Sequence, residues 1–166
     1  MKSSDSEATA TGRPQIDKTL NEDLMKKTFM VVDDDLILHY LVKRVCKPIE
    51  DIEKIYFANN GLEALELLKH WLEDATPSPT AIFVDINMPI MNGFEFIKEY
   101  KNLKSIWGNK LNSIIVAVLT SSTQIADKEK MLASGVVDEV IVKPDNPQAL
   151  REIILKTLNG IMVSPT

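Results

Sequence analysis

The sequence predicts an α/β fold, in which a doubly wound parallel sheet of five strands is covered by five helices. Two observations support this fold class. Short β-branched and aromatic runs alternate along the chain with amphipathic stretches. The runs are also almost continuously apolar, which is typical of strands covered on both faces. Right-handed crossovers between such strands leave few layouts other than a doubly wound sheet.

The five apolar runs are the predicted strands. In chain order they read TFMVV, KIYFA, AIFVD, SIIVAVL and EVIV. Ligands of doubly wound sheets bind beyond the carboxyl ends of the strands. We therefore expect the functional residues directly after these runs.

Helices are predicted wherever apolar residues recur at helical spacing between the strands. Four clear stripes cover Ile37 to Val45, Ala64 to Leu72, Phe96 to Leu103 and Leu150 to Leu158. A fifth helix, beginning near Ile125, is less cleanly amphipathic. Gly93 is expected to open the third helix at a close approach of the backbone. Asn146 and Pro147 form a predicted N-cap and first helical residue.

Some residues away from the strand ends are expected to have structural roles only. His39 lies opposite the apolar stripe of its helix, so we predict that it and His70 are at the surface. Cys46 is the single cysteine and is expected to fill a small space in the core. The segment 104–113 is predicted as a long connection from helix to strand, with Trp107 as its packing anchor.

Composition favours one globular domain, since 166 residues with 45% hydrophobic content bury a sizeable core. The net charge of −5, from 24 acidic and 19 basic residues without a basic block, disfavours nucleic-acid binding. The apolar runs fall short of the roughly 20 residues that span a bilayer, and the N-terminus does not resemble a signal peptide. These features predict a cytoplasmic protein that does not enter a membrane.

The predicted domain covers residues 28–160. Residues 1–27 are polar and are expected to be a flexible extension or a tag remnant. A short helix in this extension stays open, because three apolar residues have helical spacing: Ile16, Leu20 and Leu24. The short tail 161–166 leaves no room for a fused output module, so we expect a stand-alone domain.

Polar residues stand at four of the five predicted strand ends. Asp33 and Asp34 follow the first strand, Asp85 closes the third, Thr120 follows the fourth and Lys143 follows the fifth. Singly, each has an ordinary explanation as a helix cap, a turn residue or a surface charge. Their convergence on one edge of the sheet favours a functional site instead.

Three carboxylates at this edge would repel one another unless a cation offset their charge. Carboxylates without cysteine or histidine suit Mg²⁺ better than Zn²⁺. Such an ion would leave Asp85 able to act as a nucleophile toward phosphorus. The Thr120 hydroxyl and the Lys143 ammonium would stabilise charge on the transferred phosphoryl oxygens.

The segments VVDDD, FVDINMPIMNGFEFI, VAVLTSS and VIVKP, in this order, resemble the CheY-like receiver domain of response regulators in two-component signalling. The most specific segment runs from Asp85 to Gly93 and matches the pattern D-x-x-M-P-x-M-x-G around the family's phosphoacceptor. The resemblance covers about residues 28–160. It implies a flavodoxin-like sheet with strand order 2-1-3-4-5.

The resemblance also implies roles for the acidic residues. Asp85 would be the phosphoacceptor and also a ligand of Mg²⁺. Asp33 and Asp34 would be the metal-binding acids, with Asp34 the more direct ligand, and the backbone carbonyl of Asn87 would complete the protein ligands. Asp35 has no role in the family, and we expect it to interact with the dipole of its helix.

Around the acceptor, the resemblance implies that Thr120 and Lys143 bind the phosphoryl group. Ser121 and Pro144 would have supporting roles, since a small residue at 121 leaves the acceptor reachable. The sequence departs from the family at Val140, where a tyrosine or phenylalanine usually acts as a switch. A valine lacks a ring to reorient, so signal transmission is expected to use the fourth helix and its adjoining loop.

The predicted function is a single-domain response regulator that accepts a phosphoryl group on Asp85 with the help of Mg²⁺. Its expected partners are a sensor histidine kinase or a histidine phosphotransfer protein, a downstream protein target and, on the face of the last two helices, a second copy. Phosphorylation would switch a protein surface or relay the phosphoryl group onward. Beyond self-phosphotransfer and autodephosphorylation we expect no enzymatic activity. Asn87 and Ser122 are expected to influence the lifetime of the phosphorylated state.

Three alternatives stay open. A phosphatase of the haloacid-dehalogenase type also uses a strand-end aspartate with Mg²⁺, but it needs a second acid where this chain has Asn87. A flavin- or nucleotide-binding protein would need a phosphate cradle in the first loop, where three aspartates would repel phosphate. The third alternative is a receiver domain that binds partners without phosphoryl chemistry. It stays open because Val140 departs from the family pattern.

Overall fold

The computed structural model describes residues 26–74 and 78–161. Most of the predicted extension therefore lies outside the described residues, and so does the tail after residue 161. The open question of a helix around Ile16, Leu20 and Leu24 falls outside them too. Within the described part of the chain, no helix combines the length and the apolar character needed to cross a membrane.

Strands and helices alternate strictly over the described residues. The strands are β1 (Lys27–Val32), β2 (Ile52–Ala58), β3 (Ala81–Val84), β4 (Ile115–Thr120) and β5 (Glu139–Val142). The helices are α1 (Leu36–Cys46), α2 (Gly61–Glu73), α3 (Gly93–Leu111), α4 (Ile125–Leu132) and α5 (Pro147–Leu158). All strand pairs are parallel, in the order β2-β1-β3-β4-β5. The predicted fold class and strand order are confirmed.

Two apolar clusters sandwich the sheet. On one face α1 and α5 pack against β1 and β3, for example Val42 and Ile154 against Phe29 and Phe83. The other face is covered by α2, α3 and α4, with Tyr100 among the largest fully buried side chains. Burial on both faces explains why the strands read as continuous apolar runs.

Side chains cap four of the five described helices. The capping residues are Asp35, Asn60, Asn92 and Asn146, each of which accepts a hydrogen bond from a backbone N–H in the first helical turn. The predicted roles of Asp35 at a helix start and of Asn146 as an N-cap are confirmed. The exception is α4, whose N-cap Gln124 makes no side-chain capping bond.

The prediction for His39 is wrong, because this residue is buried at 7% exposure. Its ring lies 4.7 Å from the ring of Phe57 on β2. Helix α1 contacts both the sheet and α5, so it buries a wider arc than its apolar stripe indicates. Burial lowers the pKa of His39 despite the nearby charge of Asp33. His70 is exposed and Cys46 is buried, as predicted.

The prediction for the segment 104–113 is also wrong, since α3 continues to Leu111 instead of ending before it. The helix bends at Trp107, whose backbone angles of φ −111° and ψ 26° are not helical. This bend directs Leu111 into the core, where its carbonyl oxygen accepts a hydrogen bond from the hydroxyl of Tyr100. Trp107 itself is partly exposed and lies beneath the ammonium group of Lys110.

Gly93 begins α3, as predicted, and it stands at a close backbone approach. A Cβ at this position would lie 2.4 Å from the carbonyl oxygen of Asp85, so only glycine fits without a shift. The Gly93 N–H donates to the carbonyl oxygen of Ile86, 2.9 Å away. The start of α3 is thereby held directly against the end of β3.

We expect Gly93→Ala to lower the free energy of unfolding by about 1–3 kcal/mol, because the backbone of Asp85 would have to move. The matched control is Gly108→Ala in the same helix, where an added Cβ meets nothing closer than 3.8 Å. That variant should be stabilised by up to about 1 kcal/mol, since alanine is the better helix former. Urea denaturation monitored by circular dichroism measures both. Equal effects of the two substitutions would contradict the close approach at Gly93.

Candidate functional site

The candidate site lies at the carboxyl ends of the central strands. The N–H of Asp33 donates to the carbonyl oxygen of Ala58, and the N–H of Asp85 donates to that of Val32, both at 2.9 Å. The pairing of β1 with its two neighbours therefore extends to the acidic residues themselves. Both carboxylates are consequently held by rigid backbone rather than by a free loop.

Three carboxylates meet at this edge, as the sequence analysis expected. Oxygen atoms of Asp33, Asp34 and Asp85 all lie within 4.8 Å of one another. Asp33 and Asp85 are 2% and 5% exposed, whereas Asp34 is exposed to solvent. One cation could contact all three groups and also keep water ligands on its open side, as Mg²⁺ does in proteins.

Lys143 brings a positive charge between the two buried carboxylates. Its Nζ lies 2.7 Å from Oδ2 of Asp33 and 3.4 Å from Oδ1 of Asp85. Burial by itself would lower the pKa of Lys143, but the hydrogen bond and charge of Asp33 outweigh burial and raise it. Lys143 therefore remains a cation. Its backbone N–H donates to the carbonyl oxygen of Thr120, which joins β4 to this position.

The two oxygens of Asp85 have different partners, since one accepts a backbone hydrogen bond and the other is ion-paired with Lys143. Oδ2 accepts from the N–H of Asn87 at 3.2 Å. Oδ1 is buried and accepts no hydrogen bond from the described residues. Burial, with the nearby charge of Asp33 adding to it, raises the pKa of Asp85 against the opposing effect of Lys143. The acidic cluster offers only oxygen atoms to an ion, and this is the donor set that a hard cation such as Mg²⁺ prefers.

The hydroxyl of Thr120 is fully buried and has a defined partner. Its Oγ1 accepts from the N–H of Ser122 at 3.1 Å. The hydroxyl of Ser122 donates in turn to Oδ2 of Asp127 on α4, at 2.8 Å. Ser121, between these residues, is exposed. No sequence signal points to Asp127, because a five-residue spacing from a serine matches no capping pattern.

The remaining predicted residues line the β5 end of the site. Pro144 directly follows Lys143 and is partly buried. Val140 pairs with Val118 of β4 and packs, partly buried, against the cluster that α3 and α4 share. Position 140 holds a valine, so this position has no aromatic side chain that could reorient.

The loop from β3 to α3 contains a strained residue that the sequence analysis also missed. Ile90 has a φ of +68°, although β-branched residues rarely adopt positive φ. The N–H of Met91 donates to the carbonyl oxygen of Pro89 at 2.7 Å, which closes a γ-turn around Ile90. The loop is fixed by a second bond, from the N–H of Gly61 to the carbonyl oxygen of Met91. Ile90 is 78% exposed, so burial of its side chain does not offset the strain.

Comparison with known proteins agrees with this geometry. A family model described as the response regulator receiver domain matches residues 29–155. Chemotaxis protein CheY1 of Helicobacter pylori (strain J99 / ATCC 700824) is 30% identical over 123 residues, which are 74% of this chain and 90% of CheY1. A two component response regulator from Cytophaga hutchinsonii has a solved structure that superposes with a TM-score of 0.65 at 31% identity. The superposition covers 80% of this chain and 97% of that regulator.

A longer relative matches over the same region. The sensor histidine kinase CheAY of Helicobacter pylori (strain ATCC 700392 / 26695) is 29% identical over 129 residues. These residues are 78% of this chain but only 15% of CheAY. The similarity therefore concerns one domain of that kinase and not its other activities.

We expect Mg²⁺ to stabilise the protein, because the ion relieves the repulsion among the carboxylates. At about 100 times its dissociation constant, Mg²⁺ should raise the free energy of unfolding by about 2.7 kcal/mol. Asp34→Asn should remove most of this gain, since it takes one charge from the exposed side of the cluster. The control is Asp35→Asn, which keeps a good N-cap and should keep the gain. Thermal unfolding with and without Mg²⁺ measures the effect, and an unchanged gain in Asp34→Asn would contradict the proposed ligand set.

Ile90→Gly should raise the free energy of unfolding by about 1 kcal/mol. Relief of roughly 1–3 kcal/mol of backbone strain outweighs the roughly 0.5–1 kcal/mol that glycine costs in conformational entropy. The control is Ile106→Gly, which changes an equally exposed isoleucine inside α3 and should be destabilising. Chemical denaturation of the two variants checks the opposite signs. A loss of stability in Ile90→Gly would show that the turn is not strained.

Proposed function

The chain belongs to the response regulator receiver domain family, and we propose that it accepts a phosphoryl group on Asp85 from a phosphohistidine of a partner protein. One observation carries this proposal: the carboxylate of Asp85 is buried inside an acidic cluster, and its Oδ1 is ion-paired with the Lys143 ammonium 3.4 Å away without an aligned hydrogen bond from the described residues. Such an oxygen is available as a nucleophile. Receiver domains serve in signalling rather than as general catalysts. A single phosphoacceptor in a defined environment is therefore sufficient for the proposed function.

In the proposed step, Oδ1 of Asp85 attacks the phosphorus of the donor and forms an acyl phosphate. The bond between phosphorus and the imidazole nitrogen breaks, and its electron pair stays on that nitrogen. Asp33, Asp34 and Asp85, with the carbonyl of Asn87, would hold Mg²⁺ at the site. When bound, the ion supplies charge neutralisation between the carboxylates and the incoming phosphoryl oxygens.

Two residues of the chain stabilise the charge that develops on the phosphoryl oxygens. Lys143 is held in place by Asp33 and is already within reach of the attacking oxygen. It therefore needs little reorganisation as negative charge builds up beside Asp85. The hydroxyl oxygen of Thr120 accepts a hydrogen bond from the N–H of Ser122. The hydrogen of the same hydroxyl is therefore free to donate to the phosphoryl group.

The surface around the site favours a protein donor. Leu36, Ile37 and Tyr40 lie in the first turns of α1, directly after the acidic residues, and all three are exposed. Exposed apolar residues that form a patch beside a reactive site are typical of a protein contact. We place the histidine kinase or phosphotransfer protein on this patch.

A second group of exposed apolar residues lies on α4 and β5. Ile125 and Leu132 of α4 and Val142 of the edge strand β5 are exposed. We assign this surface, on the side of α4 and β5, to a downstream protein target or to a second copy of the chain. A change in this surface on phosphorylation of Asp85 would be the output signal.

Incubation with Mg²⁺ and acetyl phosphate, followed by intact mass measurement, tests the acceptor. The wild type should gain the mass of one phosphoryl group, whereas Asp85→Asn should gain none because the nucleophilic oxygen is lost. Removing Mg²⁺ with a chelator should abolish the gain. Asp35→Asn is the matched control and should be labelled like the wild type. Equal labelling of the wild type and Asp85→Asn would exclude Asp85 as the acceptor.

A further inference from the structure

We propose that the groove between α3 and α4 binds a small amphipathic carboxylate, that is, a molecule with an apolar body and one anionic group. The groove contains a cavity of about 380 Å³, which is in the size range of small-molecule sites in proteins. Asp33, Asp34 and Asp85 do not line it. The proposal therefore goes beyond the proposed function and does not depend on it.

The floor of this groove is apolar. Ile97 of α3 and Met131 of α4 line it, and both are buried in the core cluster on this face of the sheet. The partly buried ring of Phe94 continues the apolar surface at the start of α3. An aliphatic or aromatic body could replace water over these three side chains, and removal of apolar surface from water favours binding.

The rim of the groove is basic. It is formed by Lys98 and Lys101 of α3 and by Lys130 of α4, and all three side chains are exposed. Within residues 26–74 and 78–161, none of them forms an ion pair with a carboxylate. The whole chain has a net charge of −5, so this rim differs in sign from the molecule as a whole. An anionic group placed over the floor would meet a positive potential.

One acidic residue, Glu95, also lines the groove, but its carboxylate is engaged at the start of α3. It accepts a hydrogen bond from the N–H of Asn92 at 2.9 Å, while the N–H of Glu95 donates to Oδ1 of Asn92 at 3.0 Å. These two bonds form the capping box of α3. Glu95 is therefore directed toward the helix start and leaves the charge of the lysines in excess.

Contacts between the two helices bracket the groove at both ends. At one end, Nζ of Lys130 lies 4.2 Å from the centre of the Phe94 ring, a cation–π contact. At the other end, Nζ of Lys101 donates to the carbonyl oxygen of Ser134 at 2.9 Å, just beyond α4. A bound helix or strand needs a groove that stays open along its length. A compact ligand consequently fits this groove better than a segment of a partner protein.

The lysines can bind an anion without giving up these contacts. An ammonium group has three donors, and Lys101 uses one of them on Ser134. Lys130 contacts a ring face and donates to no oxygen atom of the described residues. A carboxylate at the rim would therefore gain hydrogen bonds from donors that are not yet used. A neutral or cationic group on the same apolar body would not gain them, so the groove should select for negative charge.

The test is a titration of the ¹⁵N-labelled full chain at neutral pH, followed by amide chemical shifts in NMR spectra. The probe is octanoate, and its binding should shift amide signals in residues 94–101 and 130–134. Octanol has the same apolar body without charge and should bind roughly fivefold more weakly, because the contribution of the ion pairs is lost. Octylammonium, with the opposite charge, should bind more weakly still. Octanol or octylammonium binding as tightly as octanoate would overturn the proposal.

A pair of variants tests the role of the lysines. Lys130→Gln should weaken the binding of octanoate by roughly twofold to fivefold, the effect of one exposed ion pair, and should leave octanol binding unchanged. The matched control is Lys128→Gln, which removes the same charge from α4 at a position that does not line the groove. This control should bind octanoate like the wild type. An equal loss in both variants, or an equal loss for octanol, would overturn the assignment of Lys130.

Other occupants of the groove would give different results in the same experiment. Tetraglutamate carries negative charge without an apolar body and should bind at least about fivefold more weakly than octanoate. Equal binding would assign the groove to an acidic segment of a partner protein. Shifts of the groove amides on raising the protein concentration alone would assign it to a second copy of the chain. Either result, or no shifts in residues 94–101 and 130–134 with octanoate, would overturn the proposal whether or not Asp85 is phosphorylated.

Discussion

The ion pair between Lys143 and Asp33 is the interaction on which the site depends. It joins the ends of β5 and β1, two strands that are not neighbours in the sheet, across the intervening Asp85. Oxygen atoms of the two buried carboxylates lie within 4.8 Å of each other. At such a separation two like charges repel by roughly 3–4 kcal/mol at a dielectric typical of protein surfaces. The ammonium of Lys143 lies within 4 Å of both carboxylates and offsets this repulsion. The two acidic side chains can therefore stay buried together at this edge of the sheet.

The sheet topology places these groups together. The chain leaves β1 and β3 on opposite faces of the sheet, so a crevice opens between their carboxyl ends. Asp33 and Asp85 stand one residue beyond the paired strands, and their backbones are bonded to the neighbouring strands. Gly93 brings α3 directly against the carbonyl of Asp85. The half of the site that contains the acidic cluster is consequently rigid.

The other half of the site is built differently. Thr120, Ser122 and Asp127 follow one another along a loop and a short helix that buries one residue. A rigid acceptor beside a loosely held helix is a sensible arrangement for a signalling domain, because the chemistry requires fixed geometry and the output requires movement.

The sequence by itself determined the fold class, the strand order through the family resemblance, and the strand ends at which the acidic cluster and Lys143 meet. Continuous apolar runs and the motif from Asp85 to Gly93 are local signals, and local signals can be read from neighbouring residues. The tertiary structure alone decided that His39 is buried and that α3 continues past its bend. It also decided that Ile90 is strained and that Asp127 reaches Ser122. These features depend on which surfaces pack together across the sheet, and periodicity along one helix or one loop contains no information about its distant neighbours.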